Sequence, residues 1–344
     1  MATQPSLTLS SATFAKLSPH PYLLANLQPP DPSTPSSRTN GRQPHEARQP
    51  NINTSSLTHA HGSAVMRTGD TTVICGVRGE TLLKTNIPNY RAADALTVAD
   101  SGMATSSNNE LRDYDLLVPN IELATGSAPN FLPGVPPTTL AQTLSTRLYS
   151  LLHSTAVVDV EDLRIYHNNE EDFLGDDEMK EDRNDEEDTK REVKAYWVLY
   201  IDVLFISLDG NPFDAAWAAV LAALRDTKLP QARWNADQEM VLCSQDNPSP
   251  LNIRGLPVAC TAAVFTAKEK QKKGGGQFWI LVDPDRLEES LCDETATMVV
   301  DRTGGETKIL GISKSGGTVI GPELMRKFII IAETRWEGFR AVLL

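Results

Sequence analysis

The sequence predicts an α+β fold built from two sub-structures packed as one compact unit. Strand-like runs bounded by turn signals and separate helical runs come in two similar series, first hairpin, strand and helix, then hairpins and a helix. A length of 344 residues allows one large domain with insertions or two smaller ones. The boundaries expected are an N-terminal helix and extended arm over 1–50, then a folded domain over 51–344. Within that domain the first subdomain spans 51–228, with an acidic loop at 168–190, and the second spans 229–344.

Each element follows from local chemistry. Residues 11–27 predict a short helix broken by Pro19 and Pro21, and Pro29–Pro50 is dense in Pro, Ser and Thr, as an arm without its own core is. Ser63–Met66 and Thr71–Val77 alternate as a β-hairpin across the turn Arg67-Thr68-Gly69-Asp70. Residues 101–113 are polar and read as a loop, VPNIELA as an extended piece. After the prolines of FLPGVPP, Thr138–Ser154 places Leu140, Leu144, Leu148, Leu151 and Leu152 at helical spacing behind a capping threonine. Strands at 158–166 and 195–208 flank the acidic loop, and an alanine-rich helix runs from about Asp214 to Asp226. In the second half, Pro257–Phe265 and Phe278–Pro284 read as strands joined by the basic tip AKEKQKKGGGQ. Two further strands meet across Thr303-Gly304-Gly305, and a helix over Pro322–Leu343 ends the sequence.

Composition narrows the class. Apolar residues make up 40% and mean hydropathy is −0.28, as in a globular protein with polar segments. No run approaches the ~18 apolar residues of a membrane span. The start, MATQPSLTLSSATFAKL, lacks the features of a secretory signal. Cys75, Cys243, Cys260 and Cys292 form no CxxC pair and read as reduced thiols of a cytosolic or nuclear protein. His59 and His61 stand without a second cluster of ligand types, so no metal is expected. The net charge of −13 is concentrated: residues 170–188 hold twelve acids against two bases, a net of −10, which leaves −3 for everything else. A run of that density repels itself and reads as a solvated loop.

The stretch LDGNPFDAAWAAVLAAL (208–224) is where a site would be sought. Gly210 permits a sharp turn, and the first amides of the helix would favour an anion. Asp214, however, sits where a carboxylate caps those amides and repels a phosphate, and Pro212 removes a donor. A structural corner is favoured over an anion site. Candidate RNA contacts are Arg67 and Arg78 on the hairpin and Arg147 on the helix, because phosphates require only nearby positive charge. The tip lysines Lys268, Lys270, Lys272 and Lys273 read first as solvated, with an RNA or partner contact as the alternative. Phe328, Ile329, Ile330 and Ile331 make the last helix apolar on more than one face, which fits either burial between subunits or a monomer's own core.

Six phrases in order resemble the RNase PH family, specifically its eukaryotic exosome branch. They are TNGRQPHEAR, GSAVMRTGDTTVICGVRGE, LVPNIEL, the strand followed by DGNxxDAAxxAxxAAL, LNIRGLPVACTAAVF and WILVDPDRLEESLCDETATMVVD, over about residues 38–340. LNIRGLPVA and ILVDP point to one of the six PH-like ring subunits in particular. The resemblance implies an RNase PH-like fold of two β-α-β-type subdomains, with six such subunits in a ring around an RNA channel. Active relatives cut RNA from its 3′ end by phosphorolysis, holding phosphate with hydroxyls, amides and an arginine at the strand–helix turn. Here that turn reads Asn211-Pro212-Phe213-Asp214, with no hydroxyl and no arginine. The family's paired aspartates, six residues apart, fall on Glu289 and Thr295, with Asp293 and Glu294 nearby but shifted. The resemblance therefore implies a non-catalytic ring subunit without cofactor. Its implied partners are other PH-like subunits, including a direct dimer partner, RNA-binding cap subunits, an RNase II-type exonuclease and RNA in the channel, with no membrane. Its implied locations are nucleus, nucleolus and cytoplasm. The alternative is a phosphorolytic 3′–5′ exoribonuclease whose site is shared with a neighbour.

Overall fold

The computed structural model describes residues 10–88, 90, 110–167, 192–267, 278–292, 294–316 and 321–343. The acidic loop, the lysine tip and Asp293 lie outside the described residues. Proline 19 splits the N-terminal helical stretch into α1 (Ser11–Leu17) and α2 (Pro19–Leu27). The arm that follows ends in a strand, β1 (Pro50–Thr54), which a single isoleucine among polar residues had not signalled.

The first sheet contains β1, β2 (Gly62–Thr68), β3 (Thr71–Leu83), β4 (Leu117–Leu123), β5 (Arg164–His167) and β6 (Glu192–Ser207). Its order is β1-β2-β3-β6-β4, with β5 paired to the start of β6. Among the described strands of this sheet, β4 alone runs parallel to its neighbour. A helix, α3 (Thr139–Thr155), begins at Thr138, whose hydroxyl accepts the Ala141 N–H at 3.3 Å. Helix α4 (Pro212–Asp226) follows β6. A two-stranded ribbon, β7 (Lys228–Asn235) and β8 (Met240–Pro250), leads to the second sheet. That sheet has the order β10-β9-β11-β12, from β9 (Val258–Thr266), β10 (Phe278–Val282), β11 (Glu294–Asp301) and β12 (Lys308–Ser315). The short α5 (Arg286–Leu291) precedes β11, and α6 (Pro322–Leu343) follows β12.

Helix α4 is the centre. Every residue from Pro212 to Leu224 is buried, because the helix lies against β2 and β3 of one sheet and β9 of the other. Six alanines leave its backbone close to both layers. At Gly62 an added Cβ would stand 2.3 Å from Thr227 Oγ1 and 2.5 Å from the Ala223 carbonyl oxygen, so β2 and the end of α4 touch through backbone.

The structure corrects two expectations and bears on one alternative that had stayed open. Over 158–166 only Arg164–His167 is strand; Val160–Leu163 form a 3-10 turn, started by the Asp159 carboxylate accepting the Glu161 N–H and burying Val160 and Leu163. In the expected loop 101–113, residues 110–113 turn helically and bury Glu110 against Arg164 at 2.7 Å. On α6 the buried stripe is Leu324, Phe328, Ala332, Trp336 and Phe339, with Ile329 and Ile331 packed at its margins. Ile330 alone of the aliphatic run points outward, at 62% exposure, so the chain's own core accounts for the others.

Candidate functional site

The strand–helix corner is built from strained backbone. Gly210 has φ +75°, and a Cβ there would lie 2.5 Å from the Asp285 carbonyl carbon, so the turn presses directly on the start of α5. Asn211, at the cap of α4, and Asp283, after β10, are both left-handed, with φ 49° and 50°. Such conformations cost a non-glycine residue about 1–2 kcal/mol each and persist only where neighbours enforce them. Here the neighbours are each other: Asn211 Nδ2 donates to Asp283 Oδ1 at 2.8 Å and to Asp214 Oδ2 at 2.9 Å.

Asp214 does not cap its own helix, as its position had suggested. Its carboxylate instead accepts the Thr261 N–H at 2.8 Å and the Thr261 hydroxyl at 2.6 Å, which ties α4 to β9. Burial pushes its pKa above the ordinary carboxylate value, against the pull of those hydrogen bonds. Of the amides at this turn, that of Asn211 is taken by Glu289 Oε1, which accepts it at 2.7 Å. Burial drives the half-buried Glu289 up to about 7. The structure thus joins two stretches singled out separately in the sequence, Asn211–Asp214 and Glu289. Among the described residues no hydrogen bond or ion pair links Thr295 to them; it stands half-buried on β11, and the adjacent Glu294 pairs with Lys314 at 2.9 Å.

What fills the site is the N-terminal arm. Arg48 grips Asp283 through Nε and Nη2, both at 2.8 Å, and through its main-chain N–H at 2.9 Å. Burial opposes ionisation of Asp283, but Arg48 and Arg335 outweigh it and hold the pKa at about 2. Arg335 Nη1 in turn donates to the Arg48 carbonyl at 2.8 Å. Arg42 lies 3.5 Å from Asp283, and the wholly buried Arg38 lies 3.1 Å from Glu288. Burial weighs against both charges of that last pair, lowering Arg38 to about 10 and raising Glu288. The space enclosed by Arg48, Thr68, Asn211, Asp214, Asp283 and Arg335 has a free volume of about 0 Å³, too small for a water molecule. Among the described residues no group of three or more His, Cys, Asp or Glu is arranged to hold a metal ion.

The three candidate RNA-contacting arginines are not gathered. Arg67 is exposed and donates to the Gly69 carbonyl at 3.1 Å, while Arg78 is exposed and paired with Glu80 at 3.2 Å. Arg147 is built into the fold: its guanidinium lies 3.9 Å from the Phe213 ring centroid and donates to Thr297 Oγ1 at 2.9 Å. From there a hydrogen-bonded chain runs inward through Thr297, Thr261, Asp214, Asn211 and Asp283 to Arg48. Sequence reasoning had assigned no role to Arg38, Arg42, Arg48, Thr261, Asp283 or Arg335. The one available signal was the basic spacing in and before TNGRQPHEAR.

Comparison with known proteins covers nearly the whole chain. Residues 46–230 match the 3′ exoribonuclease family, domain 1 (RNase PH), and residues 255–335 match domain 2 of that family. The exosome complex component rrp43 of Schizosaccharomyces pombe is 30% identical over 330 residues, 96% of this chain and 97% of its own. The exosome complex component Rrp42 of Archaeoglobus fulgidus is 25% identical, covering 86% of each chain. Among solved structures, a chain of the Archaeoglobus fulgidus exosome with RNA bound to the active site superposes with a TM-score of 0.62. That match has 24% identity over 94% of this chain and 96% of the other, and likeness at that level shows the fold.

Proposed function

The chain belongs to the 3′ exoribonuclease family of RNase PH type, and from that premise we propose that it is a ring subunit of an RNA exosome that does not itself cut RNA. The relatives that it matches over 97% and 86% of their lengths are exosome complex components, which supports a place in a ring of like-folded subunits. The observation that carries the non-catalytic reading is the closed corner. Glu289 accepts the Asn211 amide, Arg48 neutralises Asp283, and the space that Arg48, Asn211, Asp214 and Asp283 enclose is too small for a phosphate. Phosphorolysis needs an anion held beside the scissile bond, and in this corner the Asn211 amide and the Arg48 guanidinium already serve carboxylates of the chain itself.

On this reading the subunit contributes to RNA processing and degradation by helping enclose the channel and by docking RNA-binding cap subunits and an RNase II-type exonuclease. It would be found in nucleus, nucleolus and cytoplasm. The test is direct: the purified chain, alone and with its ring partners, receives a 3′-tailed RNA, inorganic phosphate and Mg²⁺. No nucleoside diphosphate release should depend on this subunit, and Glu289→Gln or Asp293→Ala should leave the assembly's activity unchanged. Release that disappears in either variant establishes the opposite reading, a phosphorolytic site shared with a neighbour.

A further inference from the structure

The two edges of the second sheet are treated differently. At β10, Ile280, Leu281 and Val282 are buried, and Leu23 and Leu27 of α2 pack with Leu281 and Phe265. The opposite edge, β12, pairs among the described residues with β11 alone, and seven of its eight residues are exposed. Among them are Ile309, Leu310 and Ile312, at 44%, 37% and 54% exposure. Free edges are ordinarily guarded by proline, charge or brevity, since their unpaired N–H and C=O groups template association. The other edges here follow that rule: β4 carries Pro119, and the end of β8 is polar with Pro248 and Pro250. Edge β12 has Lys308 and Lys314 at its ends and a bulge opposite Val299 and Val300, but between the lysines it presents Ile309, Leu310 and Ile312 to solvent.

Between β12 and α3 lies a groove of about 470 Å³. Its apolar lining includes Leu151, Phe213, Val299, Leu310 and Ile312, and among the described residues Arg147 is the single charged side chain that lines it. We propose that the free edge of β12 and this groove accept an extended segment of a neighbouring ring subunit, added as a fifth strand, with aliphatic side chains against Leu310 and Ile312 and a carboxylate toward Arg147. The inference rests on the ring-subunit reading. A strand is the occupant that satisfies a row of alternating backbone donors and acceptors. The carboxylate follows from charge complementarity: Arg147 is half-buried over Phe213, and the acid whose charge it feels, Asp214, is reached only through Thr297 and Thr261. RNA fits less well, because a phosphate backbone asks for several cations and the groove offers one.

Hydrogen exchange of the β12 amides, followed by mass spectrometry, tests this on the full chain alone and in the ring reconstituted with its partner subunits. Exchange should slow about tenfold or more on assembly. Ile312→Lys should remove one neighbour from the complex in native mass spectrometry while the isolated variant melts within ~2 °C of wild type, because Ile312 is exposed. Ile330→Lys on α6, equally outward-facing, should leave the ring intact. Three results would overturn the proposal: β12 amides that stay fast in an assembled ring, an intact ring with Ile312→Lys, or protection that appears with a single-stranded RNA in place of a subunit. In each of those the ring reading itself stands. A wild-type chain that never enters the ring removes that reading and this proposal with it.

Discussion

Arg48 and Asp283 form the contact on which the corner depends, a bidentate pair whose carboxylate is almost fully buried. Removing one partner of such a pair leaves an uncompensated charge in a dry place, which costs about 3–5 kcal/mol. Arg48→Met is therefore expected to destabilise the protein by that amount in denaturant unfolding. Adding Asp283→Asn should recover part of the loss, and a double variant no more stable than Arg48→Met would rule the pair out as the cause. Acidity acts on the same residues with opposite signs. Asp283 has a folded pKa of about 2 against an ordinary 3.8, so its contribution is complete above 3.8 and disappears as pH falls toward 2. That loss amounts to about 2 kcal/mol. Glu289 is raised from 4.5 to about 7, so the folded state holds its proton more tightly and stability declines as pH rises through that window. Solvent reaches Glu289 in part, and a decline of about 1–2 kcal/mol is expected after screening. Glu289→Gln should then melt higher than wild type at pH 8 and equally at pH 4, with the Asn211 amide still accepted by the new side-chain oxygen.

Elements whose chemistry is local were legible in the sequence. Helix α4 announced itself by the alanines that follow a Gly-turn, though it begins at Pro212, two residues before the expected Asp214, and α6 has the expected ends, Pro322 and Leu343. Elements that depend on what they meet were not. The ribbon β7–β8 contains QARWN and SQDNPSP, without an alternating apolar face, and its buried anchor is Leu229 alone. Residues 158–166 have the composition of a strand, yet one aspartate that accepts a nearby amide turns half of them into a 3-10 helix. The contact of β2 with α4 was equally invisible, since a glycine in a strand does not say what approaches it. Gly62→Ala places a methyl group against Thr227 and the Ala223 carbonyl, neither of which is the far end of a flexible chain. Overpacking of this kind costs about 1–3 kcal/mol. Thermal unfolding should register it, and Gly126→Ala, where a Cβ meets nothing within 4 Å, reports the separate cost of a left-handed backbone.

At the scale of the molecule, the arm had been read as an extended stretch without its own core, Glu289 and Thr295 had been read as remnants of lost chemistry, and Asp283 and Glu288 had been given no role. Those readings could not foresee the union of arm and carboxylates, because Arg48 and Asp283 are 235 residues apart and Arg38 and Glu288 are 250 apart, and pairing at that range leaves no periodicity in the sequence. The arm crosses from α2, which covers β10 of the second sheet, to β1 of the first, and delivers Arg38, Arg42 and Arg48 on the way. It therefore acts as a strap between the two sheets. Deleting residues 1–48 should do more than free a terminus, since it strips the cations from Asp283 and Glu288 and uncovers Leu281 and Phe265 together. The truncated chain is expected to lose a single cooperative unfolding transition, with the second sheet melting first. Asp283→Asn with Glu288→Gln in that truncation should restore part of the cooperativity, because burying two amides is far less costly than burying two unpaired carboxylates. If the truncated chain unfolds in one transition at the wild-type midpoint, the strap contributes nothing to holding the halves together. If the neutralised truncation is no better than the parent truncation, lost apolar cover over β10, rather than stranded charge, is what the arm prevents.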